Sequence, residues 1–269
     1  MLFIVTALLL VGAFTGFMAG LLGVGGGMML VPFMSLFFTI AGFPNEAVIK
    51  MALATALTTI LFTSIGSVRA HHQGGKVRWE IVKPMGVGAF IGTFIGANFA
   101  SALKSSWLEI FFAVFVGYSA LKMFRNTKPK PSRDVPPPAA LGLVGSGIGF
   151  ISSLVGAGGA FISTPFMVWC NVAMHQAIGT SAALGFPIAA GGLIGYLVAG
   201  ANVTGLPSYS VGYIYLPALA ACAVASLITA PIGARTAHKT NVATLKRVFA
   251  CLLLVLASYM ASRAFHLFG

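Results

Sequence analysis

The sequence predicts an all-α polytopic membrane protein made of two inverted repeats, each a glycine-tipped helical hairpin followed by three transmembrane helices. Three observations predict it: apolar runs long enough to cross a bilayer, a glycine motif that recurs at a fixed offset, and a reversal of loop charge between the two halves. Hydrophobic residues make up 58% of the 269 positions and charged residues 7%. A water-facing surface of this size does not tolerate that ratio, so the solvent for most of the chain is lipid.

A transmembrane helix needs about 20 mostly apolar residues. Charge-poor runs at 2–22, 28–41, 47–68, 84–103 and 107–124, then 139–155, 160–171, 176–199, 212–234 and 245–266, are read as membrane segments. The first run, opening Met1-Leu2-Phe3-Ile4, has no Lys or Arg before it and is expected to stay as a segment rather than be cleaved as a signal. The net charge of +12 sits in loops between apolar runs, with no basic domain carrying interleaved aromatics. These charges read as topology signals, and no nucleic-acid partner is expected. Cys170, Cys222 and Cys251 lie in apolar surroundings without a Cys-x-x-Cys spacing and read as buried structural thiols.

The chain divides at a basic, Pro-rich stretch, 125–138, suited to a semi-rigid linker between a first repeat at 1–124 and a second at 139–269. Gly16-Phe17-Met18-Ala19-Gly20-Leu21-Leu22-Gly23-Val24-Gly25-Gly26-Gly27 matches Gly149-Phe150-Ile151-Ser152-Ser153-Leu154-Val155-Gly156-Ala157-Gly158-Gly159-Ala160 at an offset of 133, continuing into Pro32-Phe33-Met34 and Pro165-Phe166-Met167. A weaker match pairs Ala52-Leu53-Ala54-Thr55-Ala56 with Ala177-Ile178-Gly179-Thr180-Ser181.

Cytoplasmic loops carry the excess of Lys and Arg. In the first half the loop with Arg69, Lys76, Arg78 and Lys83 is basic and the next connection holds only Lys104. In the second half the order reverses: 200–211 has neither residue type, and the following connection holds Arg235, Lys239, Lys246 and Arg247. Equivalent loops therefore face opposite sides, the linker is cytoplasmic, and both termini are expected on the non-cytoplasmic side. The runs 28–41 and 160–171 span only about 18–21 Å as helices, short of the ~30 Å hydrocarbon core, so each is the return arm of a hairpin tipped by glycine.

Such tips are tolerated at membrane depth only where protein encloses them or they line a cavity. Paired glycine-broken segments in two inverted halves point to a binding site at the repeat interface. A broken helix presents free N–H groups and the positive end of its dipole, which suits an anion. Gly25, Gly26 and Gly27 in one half and Gly158, Gly159 and Ala160 in the other are the expected substrate-binding tips. Thr55, Thr58, Thr180 and Ser181 are candidate hydroxyl partners, the alternative for each being a bond to the carbonyl one turn back. Close helix crossing is the competing role for the glycines, and the better one for Gly88, Gly92 and Gly96. Val31-Pro32 and Thr164-Pro165 read as helix restarts with proline in the first turn.

The acidic residues are Glu46, Glu80, Glu109 and Asp134, all assigned to loops or segment ends, which weighs against a cation carrier and a carboxylate proton relay. His71-His72 reads as a solvated loop pair, His175 as a capping or interface residue, and Lys50 as an anion attractor or a helix anchor. A dinucleotide pattern, His-Glu-x-x-His and a pair of facing membrane carboxylates are absent, so neither an enzyme nor a cofactor or metal site is expected.

The glycine motif with Val31-Pro32, its repeat Ser152-Ser153-Leu154-Val155-Gly156-Ala157-Gly158-Gly159-Ala160 with Thr164-Pro165, and Ile178-Gly179-Thr180-Ser181 together resemble the TauE/SafE family, the sulfite exporter or toluene-sulfonate uptake permease family. The resemblance runs over both halves and the linker. It implies a secondary transporter for sulfite, sulfoacetate or other organosulfonates in the bacterial inner membrane. Alternating access is the expected mechanism. A channel-like permease and a non-transporting assembly or sensory protein are the alternatives. Membrane lipids are expected around the chain, and a homo-oligomer is left open. The first half has Ala56 where the second has Ser181, so a symmetrical pair of hydroxyl contacts is not implied.

Overall fold

The computed structural model describes residues 2–22, 27–125, 132–237 and 242–268. Among them the helices run α1 Leu2–Leu22, α2 Gly27–Ile40, α3 Asn45–Gln73, α4 Trp79–Ala102, α5 Ser105–Phe124, α6 Pro138–Val155, α7 Ala160–Trp169, α8 Met174–Gly200, α9 Leu216–Ala237 and α10 Val242–Phe268. The protein is therefore an all-α polytopic membrane protein, with seven of the described helices long and apolar enough to cross a bilayer and α2 and α7 among the shorter apolar ones. Strands Ser210–Val211 (β1) and Ile214–Tyr215 (β2) form a short antiparallel pair before α9. They occupy the start of the run read as a membrane segment from 212, where Gly212 takes a positive φ of 55° and turns the chain.

Glycine ends α6 and begins α7. Gly156 caps α6 in the left-handed region at φ 66°, and Gly159, at φ 75°, precedes the first residue of α7. The N–H groups of Ser132 and Arg133 donate to Trp169 O at 3.1 and 3.3 Å, and the Arg133 guanidinium lies 4.8 Å from the centre of the Trp169 ring. The chain leading into α6 is thus tied to the end of α7, so the two helices make a hairpin that starts and finishes on one side. α6 is about 27 Å long and α7 about 15 Å, and the residues between Arg133 and Pro138 are long enough to make up the difference. Residues 126–131 of the Pro-rich stretch lie outside the described residues.

Helices from early and late in the chain interlock: α6 packs on α4, and α1 packs on α9. The same contacts recur at the residue level. A Cβ on Gly12 would meet Cys222 and one on Gly16 would meet Ser226, while at the positions 133 further on, Gly145 faces Met85 and Gly149 faces Ala89. Gly88, Gly92 and Gly96 sit against Gly142, Ser146 and Phe150 of α6, the close crossing expected of small residues at this spacing.

Three expectations need correction. Pro32 and Pro165 lie inside α2 and α7, not in their first turns, because both helices begin directly at the tip glycines. Each proline withholds an N–H from the carbonyl four residues back, on Met28 and Phe161. Cys251 is exposed on α10, whereas Cys170 and Cys222 are buried. Glu109, assigned to a segment end, is completely buried within α5.

The tight α4–α6 crossing yields a prediction. A Cβ on Gly92 would stand 2.0 Å from Ser146 O, and backbone cannot retreat as a side chain can. Gly92→Val is expected to destabilise the protein by about 1–3 kcal/mol, read as a lowered Tm in detergent. Gly147→Ala, where a Cβ meets open space, is expected to leave Tm unchanged or raise it.

Candidate functional site

The start of α2 meets the glycine cap of α6. A Cβ on Gly27, the first residue of α2, would lie 2.2 Å from Gly156 O, and one on Gly156 would lie 2.4 Å from Val31 Cγ2. Only glycine permits backbone this close. Beside the contact is a cavity of about 90 Å³, lined by Gly158 and Ala160 of the second tip, Ser181 and Gly185 of α8, Ile60, Thr63, Ser64 and Ser67 of α3, Gly20 of α1 and Ala230 of α9. A recess of about 20 Å³ shares Ala19, Ile60 and Thr63 with it and adds Gly27, Thr15, Thr59 and Ser226. No charged side chain lines either space among the described residues.

From Ser181 at the cavity a chain of hydroxyls runs back into the protein. Thr164 Oγ1 donates to Ser181 Oγ at 2.8 Å, Ser181 Oγ shares a hydrogen bond of 2.7 Å with Ser163 Oγ, and Ser163 Oγ donates to Gly159 O at 3.0 Å. With those directions Ser181 donates to Ser163. If Ser163 turns its hydrogen to Ser181 instead, the Ser181 hydrogen is freed toward the cavity it lines. At the start of α7 the N–H of Ile162 donates to Gly159 O at 3.0 Å, while those of Ala160, which lines the cavity, and Phe161 have no intrahelical acceptor. On the far side of Gly159, Ser152 Oγ is buried without a hydrogen-bond partner beside a space of about 10 Å³, close to the size that holds one water.

The sequence-predicted residues divide in three. Gly27, Gly158, Ala160 and Ser181 come together at the cavity and its recess. Gly159 lines the small space beside Ser152, and Gly25 and Gly26 lie outside the described residues. Thr55, Thr58 and Thr180 are not among the residues lining the cavity or its recess, and their oxygens have backbone partners. Thr58 Oγ1 donates to Ala54 O at 2.8 Å, one turn back. Thr55 Oγ1 accepts from Tyr215 N at 3.2 Å, and Thr180 Oγ1 accepts from Arg78 N at 3.0 Å. Tyr215 immediately precedes α9 and Arg78 immediately precedes α4, so each threonine fastens the start of a helix in the other half.

The remaining singled-out residues have local roles. Lys50 Nζ donates to Ser101 O at 2.7 Å, anchoring α3 to the end of α4. His72 Nδ1 accepts from Trp79 Nε1 at 3.1 Å, and His175 is exposed at the start of α8. Sequence reasoning missed Thr63, Ser64 and Ser67. Their signal was present, since Thr59, Thr63 and Ser67 recur every four residues and so share one face of α3.

Residues 8–260 match the family described as Sulfite exporter TauE/SafE. The chain is 35% identical over 254 residues to a probable membrane transporter protein of Haemophilus influenzae, covering 94% of this chain and 96% of that one. It is 26% identical over 263 residues to probable membrane transporter protein MJ0441 of Methanocaldococcus jannaschii, covering 96% of each. Over 207 residues it is 27% identical to probable membrane transporter protein YdhB of Bacillus subtilis, covering 72% of this chain and 79% of that one. No solved structure matches the chain.

If the two threonines serve the fold rather than the cavity, Thr55→Val and Thr180→Val each strand a backbone N–H. Each is expected to cost about 1–3 kcal/mol in thermal unfolding while leaving the order in which different anions stabilise the protein unchanged.

Proposed function

The chain belongs to the sulfite exporter TauE/SafE family and is a multi-pass membrane transporter, and we propose that it carries a compact, singly charged sulfur oxyanion, such as sulfite in its protonated form or a small sulfonate, by alternating access. The observation that carries the reading is the uncharged cavity where the second tip meets α3. Its donors are hydroxyls and the start of α7, which hold an oxyanion without a buried cation. The desolvation cost of an ion grows with the square of its charge, about fourfold from one charge to two. A neutral lining therefore favours the monoanion.

The volume points the same way, since about 90 Å³ equals the liquid volume of about three waters. That admits a sulfite or a sulfonate head group, and a larger body such as that of sulfoacetate needs the cavity to widen. Gly27 of the first motif and Gly158 and Ala160 of the second bound the site, with Ser181, Thr63, Ser64 and Ser67 as its hydroxyls. The halves contribute unequally. Ser163, Thr164 and Ser181 correspond to Leu30, Val31 and Ala56, while Thr63, Ser64 and Ser67 correspond to Ile188, Ala189 and Gly192. One polar site, shared between the second hairpin and the first half's α3, follows from that inequality.

Two inverted repeats supply the moving parts. The corresponding contacts of α1 with α9 and α6 with α4 support the repeat. Loop charge supports opposite orientations, with the linker and the loops around 76 and 239 cytoplasmic and both termini outside, in a bacterial inner membrane. The hairpin's return to one side at Trp169 agrees with that arrangement.

The test is thermal unfolding of the purified protein against sulfite, sulfate, thiosulfate and methanesulfonate, joined to flux in proteoliposomes. Sulfite and methanesulfonate are expected to raise Tm through binding to the folded state, and sulfite more strongly as the pH falls through neutrality. Ser181→Ala, removing a hydrogen bond to a charged ligand worth about 1.5–3 kcal/mol, is expected to weaken binding about 10- to 100-fold. Stabilisation by sulfate alone contradicts the monoanion reading, and flux that never saturates contradicts alternating access.

A further inference from the structure

Glu109 sits in the second turn of α5 with no exposed surface. Arg263 on α10, which packs against α5, brings Nε to 3.2 Å from Glu109 Oε1. The approach is an ion pair without hydrogen-bond alignment, and both carboxylate oxygens are buried with no hydrogen-bond partner. Arg263 Nη1 reaches instead to α2, donating to Ser35 O at 3.3 Å, to Ser35 Oγ at 3.0 Å and to Thr39 Oγ1. From α3, Glu46 adds a second negative charge nearby, with Lys50 close to it. α6, also in contact with α5, carries no titratable side chain.

A carboxylate inside a membrane span is expensive and is kept for function. A buried ion pair offsets its desolvation only when the geometry is good and the remaining lone pairs are satisfied. Glu109 meets neither condition, so one cation alone holds its charged form. Protonation forms one O–H bond, turns the carboxylate into a neutral acid and breaks no other bond. Arg263 then keeps its charge and its acceptors on α2.

We propose that Glu109 is the coupling residue of the transporter, taking up and releasing a proton in each cycle, with Arg263 passing the change in charge to α2. The connection is physical. Ser35 lies about 12 Å along α2 from Gly27, and Gly27 touches Gly156 and lines the recess of the cavity. A proton on Glu109 leaves Arg263 held by its α2 acceptors alone and therefore biases the arm that bounds the site. Thr39 is exposed at the end of α2, which gives the proton its way in. The inference rests on the chain being a transporter and not on which anion it carries.

The test has a spectroscopic arm and a transport arm, both on the full-length protein in lipid. Infrared difference spectra between mildly alkaline and mildly acidic pH are expected to contain the carbonyl band of a buried protonated carboxyl, lost in Glu109→Gln and displaced in Glu109→Asp. With radiolabelled sulfite in proteoliposomes, imposing a gradient of about one pH unit is expected to change wild-type accumulation about tenfold for one proton per anion. Glu109→Gln is expected to lose that response yet still exchange sulfite at zero gradient. A wild type without the band, a band that survives in Glu109→Gln, or a gradient response that survives with it overturns the proposal. Should Glu109→Gln fail to fold, Glu109→Asp decides through the displaced band. Absence of any sulfite transport counts against the anion assignment, and the infrared result still decides on Glu109.

Discussion

The close approach of Gly27 and Gly156 is the contact on which the other features depend. A side chain at either position would run into backbone or a core valine. The contact joins the start of α2 to the capped end of α6, just before α7, deep in the bundle. Helix ends carry unpaired N–H groups that lipid cannot satisfy, so they are stable only when enclosed. The enclosing walls are α3 and α8, the most internal spans of the two halves, and between them the cavity forms. The positive φ of Gly156 and Gly159 turns the chain there without a long loop.

Each half also depends on the other for its completion. The hairpin of one half packs on a span of the other, α6 on α4 and α1 on α9, and glycines bring these backbones close enough for dispersion forces to hold them. Thr55 and Thr180 add a reciprocal fastening, each holding an N–H at the start of the opposite half's helix. Such an arrangement resists separation of the halves while leaving the tips free of covalent constraint. Local rearrangement around the cavity is therefore easier than wholesale displacement of one half from the other.

Much of this was legible in the sequence for physical reasons. Lipid imposes long charge-poor runs, so the ten described helices follow the apolar runs to within a few residues at most ends, with the end of α3 and the starts of α4 and α9 the main exceptions. The glycine motifs announced the tips because no other residue serves there. Side-chain partners were less legible. Thr55 and Thr180 matched in sequence as a pair, yet nothing local revealed that backbone from the opposite half would occupy their oxygens. Glu109 lay near the start of an apolar run, where exposure is the ordinary outcome, and its burial follows from Arg263, 154 positions away in sequence. The prolines were misplaced by a turn because the following helices begin at the motif itself, α2 at Gly27 and α7 directly after Gly159.

The central claim is that the cavity beside the tips is an anion site exposed alternately to the two sides of the membrane. Ser67 lines that cavity and is partly exposed, so the most direct measurement is the reactivity of Ser67→Cys in a background where Cys170, Cys222 and Cys251 are replaced by Ala. A membrane-impermeant thiol reagent is applied from each side in turn, with and without sulfite. The account predicts labelling from both sides, slowed from both by sulfite. Labelling that is confined to one side and indifferent to every sulfur oxyanion tested would contradict it.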